Sequence, residues 1–87
     1  MQMTITTSKP KTYQVLWVDT SPTNEKVLTL QMADSRRLTE IAPEFDGLTK
    51  ISRQDENQGD KEFTGYTRLV GIKRIGDDVL IQMEATQ

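Results

Sequence analysis

Residues 63–85, FTGYTRLVGIKRIGDDVLIQMEA, decide the fold because two runs rich in β-branched residues flank Gly76-Asp77-Asp78. Glycine followed by aspartate accepts the positive φ of a tight turn, so the two runs are expected to pair as an antiparallel hairpin. With Gly76 and Asp77 as the turn, one face collects Val70, Ile72, Val79, Ile81 and Met83, with Arg74 close to the turn. A slip of one residue would scatter this set, so the sequence predicts a well-specified register.

The opposite face of this hairpin is less polar than a fully solvated face would be. It carries Leu69, Ile75 and Leu80 among polar residues such as Lys73 and Gln82. Two interpretations are open: other parts of the protein cover this face in part, or Gly71 marks a β-bulge that redirects Leu69. We favour partial cover.

Size and composition exclude several classes of protein. Eighty-seven residues predict one domain, 1–87, and the apolar residues fall in the regular clusters of a folded chain. A net charge of −2 argues against purely electrostatic binding to a nucleic-acid backbone. With no cysteine and no histidine, the chain has no disulfides, thiol chemistry, zinc fingers or imidazole bases.

The sequence shows no sign of a membrane or secretory segment. No uninterrupted run approaches the ~20 apolar residues that a membrane helix needs. The first residues, MQMTITTSKPK, lack the charged start and apolar centre of a signal peptide. We therefore expect a cytoplasmic or virion-associated protein that does not bind a membrane.

The first half of the chain predicts a second hairpin. Residues 1–10 are either an edge strand or a frayed tail, and residues 11–20, KTYQVLWVDT, give the strongest strand pattern. After a turn at 21–24, residues 26–32 alternate again. Pairing around an even-length loop would place six residues on one face, at the centre of the sheet: Tyr13, Val15, Trp17, Leu28, Leu30 and Met32.

One short helix and a meander complete the predicted fold. The helix is expected from Asp34 or Ser35 to about Ala42, with Ser35 as a partial cap and Pro43 limiting its continuation. Residues 48–53 predict a short strand, and 54–62 a mobile loop. The fold class is therefore α+β, a small mostly antiparallel domain compatible with a small barrel or a sandwich.

No pattern in the chain indicates catalysis or a bound cofactor. The acidic segment 54–62, QDENQGDKE, lacks the glycine and glutamate that a calcium loop needs at its sixth and twelfth positions. The carboxylate pairs Glu40 with Glu44 and Asp77 with Asp78 are expected to be solvated, so their pKa values would not be pushed apart. We predict a protein that is not an enzyme, with no catalytic, cofactor-binding or metal-binding residues.

A non-catalytic protein-interaction or assembly module is the function that remains. Its partner would be another protein or a second copy of the chain, and the candidate binding residues are Leu69, Ile75 and Leu80. Ordinary core packing is the competing interpretation, because small domains must use every apolar residue. Length and make-up are typical of small structural or accessory proteins of bacteriophages and other mobile elements, although no motif assigns residue roles.

The alternative function is weak binding of single-stranded nucleic acid. A sheet of the OB type binds single strands by stacking bases on aromatic rings and gripping phosphates with basic groups. The residues that would do so here are Tyr66, Arg68, Lys73 and Arg74.

Overall fold

Strand pairing arranges the chain as two four-stranded antiparallel sheets with one helix. The computed structural model describes residues 3–7, 11–47 and 50–86. The elements in chain order are β1 (Met3–Thr7), β2 (Thr12–Val15), β3 (Trp17–Thr20), β4 (Val27–Ala33), α1 (Leu38–Phe45), β5 (Lys50–Gln54), β6 (Lys61–Thr64), β7 (Arg68–Ile75) and β8 (Asp78–Glu84). The first sheet has the order β2-β1-β5-β6 and the second β3-β4-β8-β7. The predicted α+β class is confirmed, and the described strands do not close into a barrel.

A β-bulge at Leu16 lets one extended segment serve both sheets. β2 pairs with β1 in the first sheet, and β3 pairs with β4 in the second. The amide of Leu16 donates to the carbonyl of Gln31 at 2.7 Å, while Trp17 is the register partner of the same Gln31. Two residues thus oppose one, which bends the segment from one sheet into the other.

The bulge overturns one prediction about the core. Unbroken alternation placed Trp17 on the same face as Val15, but an extra residue reverses the order of faces beyond it. Val15 and Val18 are both buried, and Trp17 is turned outward with 38% of its surface exposed. The assignment of Trp17 to the core was therefore wrong.

The C-terminal hairpin has the predicted register near its turn. Ile75 faces Asp78, Arg74 faces Val79, and Ile72 faces Ile81. Gly76 adopts φ +59°, a left-handed conformation that favours glycine over other residues. The turn at Gly76-Asp77 is therefore the feature that sets the pairing of β7 and β8.

A second bulge, near the start of β7, corrects the predicted faces. The register shifts between Leu69 and Gly71, so Met83 faces Leu69 instead of Val70. Leu69 consequently packs against the core, while Val70, predicted to be inside, is exposed. The bulge interpretation of Gly71 was the right one for this position, and Leu69 does not lie on an exposed face.

The core lies between the two sheets and under the helix. Its buried residues are Tyr13, Val15, Val18, Leu28, Leu30, Met32, Ile41, Phe45, Ile51, Phe63, Val79, Ile81 and Met83. β1 pairs with both β2 and β5, so it is an internal strand and not the predicted edge or tail.

The helix begins later and ends later than the sequence predicts. Arg37 precedes its first residue without a side-chain cap, and Pro43 lies inside it. Asp34 instead accepts from the amide of Arg36, so it makes a turn ahead of the helix. Pro43 removes one helical hydrogen bond, and the burial of Ile41 and Phe45 offsets that loss.

The strand predicted at 48–53 is observed as β5, which starts at Lys50; Leu48 and Thr49 lie outside the described residues. β5 runs to Gln54 and β6 begins at Lys61, so both strands extend into the segment predicted as a loop. The two strands pair antiparallel, with Ile51 opposite Phe63.

Candidate functional site

A cluster of four charged side chains and one tyrosine, linked by hydrogen bonds, joins the helix to the first sheet. Glu44 of α1 accepts hydrogen bonds from Lys11, from the Tyr13 hydroxyl at 2.5 Å, and from Arg36 at 2.8 and 3.0 Å. Arg36 also donates to Asp34 at 2.9 Å, so its guanidinium lies between two carboxylates. We call these five residues the helix clamp.

The clamp keeps its carboxylates ionised. Hydrogen bonds from the Arg36 guanidinium hold the pKa of Glu44 far below its usual range and also lower the pKa of Asp34. Burial is the main cause that raises the pKa of the Tyr13 hydroxyl. A carboxylate with so low a pKa is a weak general base at neutral pH. The prediction that Glu44 is solvated was wrong, because its side chain is largely covered.

We expect acid to weaken the fold through this clamp. Because the folded-state pKa of Glu44 lies below its unfolded value, the unfolded chain binds the proton first as the pH falls. The stabilisation is complete above the ordinary glutamate pKa of about 4.3. It is lost as the pH falls below that value, by about 1–2 kcal/mol at pH 3.

Urea unfolding at pH 7 and pH 3 checks this expectation. Glu44→Gln should remove about 1–2 kcal/mol of the pH dependence, and Glu40→Gln, at an exposed position of the same helix, should leave it unchanged. Equal pH dependence in the wild-type protein and in Glu44→Gln would contradict the role given to the clamp.

Arg53 and Asp55 are buried charges that sequence reasoning missed. Only 6% of the surface of Arg53 and 5% of that of Asp55 is exposed. Arg53 donates to the carbonyl of Val18 at 3.1 Å and lies 5.8 Å from the centre of the Phe63 ring. Its Nε and one Asp55 oxygen have no hydrogen-bond partner in the described structure. Arg53 and Asp55 follow buried Ile51 at every second residue, and this alternation was the signal that Arg53 and Asp55 face inward.

The four candidates for nucleic-acid binding do not form one surface. Arg68 is paired with Glu84 at 2.5 Å. Arg74 donates to the backbone carbonyls of Asp34 and Arg36, ahead of the helix. Lys73 lies on the other side of β7 from Arg74, because successive strand residues point to opposite faces.

Tyr66 is also engaged within the fold. Its hydroxyl donates to the carbonyl of Glu25 at 2.5 Å, and its ring meets the Phe63 ring edge-on at 6.3 Å. The ring is half-buried and packs against the core. These contacts leave less of the ring available for stacking on a base than the sequence suggested.

Apolar side chains lie among polar ones on the outer face of the second sheet. The ladder registers place four residues in one row across all four strands: Trp17, Gln31, Leu80 and Lys73. Ile75, in the next row, is 44% exposed, and Leu16, beside Trp17, is 45% exposed. We call Leu16, Trp17, Ile75 and Leu80 the outer patch. Of the candidate partner-binding residues, Ile75 and Leu80 lie in it and Leu69 does not.

Hydrogen bonds fix the position of the Trp17 ring in the outer patch. Its indole N–H donates to the Gln31 side-chain oxygen at 3.2 Å. The Gln31 amide in turn donates to Asp78 at 2.9 Å. The tryptophan is thus held in place by a chain of polar groups that runs across three strands.

A shallow depression lies beside the outer patch, over Gly71. It has a volume of about 230 Å³ and is lined by Gly71, Ile72, Lys73, Leu80 and Gln82. A Cβ atom at Gly71 would lie 3.2 Å from the Gln82 side-chain oxygen, so the missing side chain keeps this space open. Leu80 contributes to both the depression and the outer patch.

Comparisons with known proteins add no assignment to this geometry. No protein-family model, curated protein or solved structure matches the chain. Within residues 3–7, 11–47 and 50–86, no three acidic side chains come together as a metal site would require. No helix among those residues has the length and apolar character to span a membrane.

Proposed function

We propose that this chain is a non-catalytic protein-interaction module that binds its partner through the outer patch. The observation that carries the proposal is the row across the second sheet, where Trp17 and Leu80 lie on the face turned away from the core. Exposed apolar residues that cluster on one face mark interaction surfaces more often than scattered ones do. The core packs on the opposite face of the same sheet, so folding does not use this patch.

The geometry of Trp17 supports this proposal. Tryptophan is enriched among the residues that dominate binding energies at protein interfaces. A side chain already held in one conformation loses less entropy on binding, and the Gln31 hydrogen bond holds Trp17 in this way. The outer patch therefore has a rigid aromatic anchor and flanking aliphatic groups.

Random-peptide display on the immobilised protein, together with light scattering behind size exclusion, tests the proposal. We expect selected peptides, or a self-associated form, whose affinity falls at least about tenfold in Leu80→Asp, or about 1.4 kcal/mol. Thr64→Asp, at an exposed position of β6 in the other sheet, is the matched control and should bind like the wild type. Circular dichroism establishes that both variants fold.

A monomer at every concentration, with no peptide sensitive to Leu80→Asp, would overturn the proposal. The finer assignment, a structural or accessory component of a bacteriophage or another mobile element, is part of the proposal and rests on length and composition alone. The nucleic-acid alternative is not favoured, since Arg68 forms a surface ion pair with Glu84, and Arg74 and Tyr66 donate to backbone carbonyls of the protein itself.

A further inference from the structure

We propose that the partner of the outer patch is a short extended segment of another protein that carries an acidic side chain two residues from an aliphatic one, so that both point to the same face. Its carboxylate would pair with Lys73, and its aliphatic side chain would lie on Leu80 and fill the depression over Gly71. This inference rests on the proposed function and names the class of partner.

The area of the outer face favours a short segment over a second copy of the chain. The strands lie about 4.8 Å apart and rise about 3.4 Å per residue, and since β3 is shorter than β4, β7 and β8, the face has a footprint of roughly 420 Å². A standard interface buries about 800 Å² of accessible surface on each partner, so a second copy would have to contact residues beyond this face as well. An extended segment of seven or eight residues, in contrast, is about as long as the strands it would cover.

The charges on the outer face favour an acidic partner. Lys73 is exposed and has no hydrogen bond or ion pair within the described part of the chain. Among the acidic groups of the same face, Glu84 pairs with Arg68, whereas Asp78, opposite Ile75, accepts from the Gln31 amide, a neutral group that does not cancel the charge of a carboxylate. Asp19, two residues beyond Trp17 on β3, lies 4.0 Å from Lys61. Lys73, and not Asp78, is the charged residue among those that line the depression, so the group complementary to this site is a carboxylate of the partner.

The depression supplies the apolar half of the recognition. Its volume of about 230 Å³ exceeds the ~30 Å³ share of one water molecule several-fold, so a branched aliphatic side chain fits. Lys73 and Leu80 face each other in the ladder and both line it. A carboxylate and an aliphatic group at neighbouring outward positions of one segment would reach both.

Fluorescence polarisation tests this inference with a labelled eight-residue peptide in which leucine and glutamate take turns at every second position, with threonine between them, because residues two apart point to the same face of an extended segment. Matched peptides replace glutamate with glutamine or with lysine. We expect the glutamate peptide to bind tightest and to lose affinity about tenfold in Lys73→Glu, whereas the lysine peptide should gain affinity in that variant. Raising the salt concentration should weaken the glutamate peptide and leave the glutamine peptide nearly unchanged.

The variants separate failure of this inference from failure of the proposed function. Sensitivity to Leu80→Asp without sensitivity to Lys73→Glu would overturn the acidic partner and leave the interaction module standing. A dimer that Leu80→Asp dissociates would do the same, with a second copy as the occupant. A monomer that binds none of the three peptides, and selects no display peptide sensitive to Leu80→Asp, would overturn both.

Discussion

Replacing Phe45 with alanine is expected to lower the free energy of unfolding by about 3–5 kcal/mol, the usual cost of removing a buried aromatic ring. Phe45 is completely buried at the end of α1, and its ring centre lies 5.1 Å from that of Tyr13 in β2. The helix has only two turns and no side-chain cap, so packing must hold it in place. A chain of this size has roughly 4–13 kcal/mol of stability in total, so Phe45→Ala would remove much of it.

Urea unfolding followed by circular dichroism measures the effect of Phe45→Ala. Phe45→Leu, which keeps most of the volume, should cost about 1 kcal/mol and gives a folded reference if the alanine variant does not fold. Val70→Ala, at an exposed position, should change stability by less than about 0.5 kcal/mol. A cost at Phe45 no larger than at Val70 would show that the helix does not depend on this contact.

The sequence predicted the elements whose signals are local. The turn at Gly76 and the alternation on either side of it gave the register of β7 and β8 from Ile72 to Ile81. A short helix between the two halves of the chain followed from Leu38 and Ile41. In each case a pattern within a few residues was enough to predict the type of element, although not the bounds of the helix.

The two β-bulges could not be predicted because their causes are not local. A prediction from alternation assigns every second residue of a strand to the same face. A single inserted residue therefore reverses the assigned face of every residue beyond it. Leu16 is inserted where the segment changes sheets, which depends on its pairing with β1 and β4. The errors at Trp17, Leu69 and Val70 all came from continuing a period of two through a bulge.

Two of the four residues of the outer patch could be inferred from the sequence, but the contacts among the charged side chains could not. Ile75 and Leu80 stood out because they were apolar on a face that otherwise reads as polar. Leu16 and Trp17 joined them only through the bulge. Glu44 and Arg36 looked like solvated helix residues, since nothing in the sequence shows that the chain folds Lys11 and Tyr13 onto them.

We also expect Arg53→Ala to lower the free energy of unfolding by about 3 kcal/mol. The substitution leaves the Val18 carbonyl without its donor, at a cost of about 1–3 kcal/mol when the group is buried. It also removes the guanidinium beside the Phe63 ring, a contact usually worth about 0.5–2 kcal/mol. Asp55, two residues further along the chain, is also buried, and no ion pair joins it to Arg53 among the described residues.

A double-mutant cycle with Asp55→Asn isolates the electrostatic part of this cost. If Arg53 stabilises the buried carboxylate, Arg53→Ala should cost about 1 kcal/mol less in the Asp55→Asn background than in the wild type. Gln54→Ala, at the exposed position between them, serves as the control and should change stability by less than about 0.5 kcal/mol. Equal costs in both backgrounds would mean that the Val18 hydrogen bond and the Phe63 contact account for the effect. In that case Arg53 acts by donating a hydrogen bond to the Val18 carbonyl, on the edge of β3 that does not pair with β4, and the charge of Asp55 does not contribute to the effect.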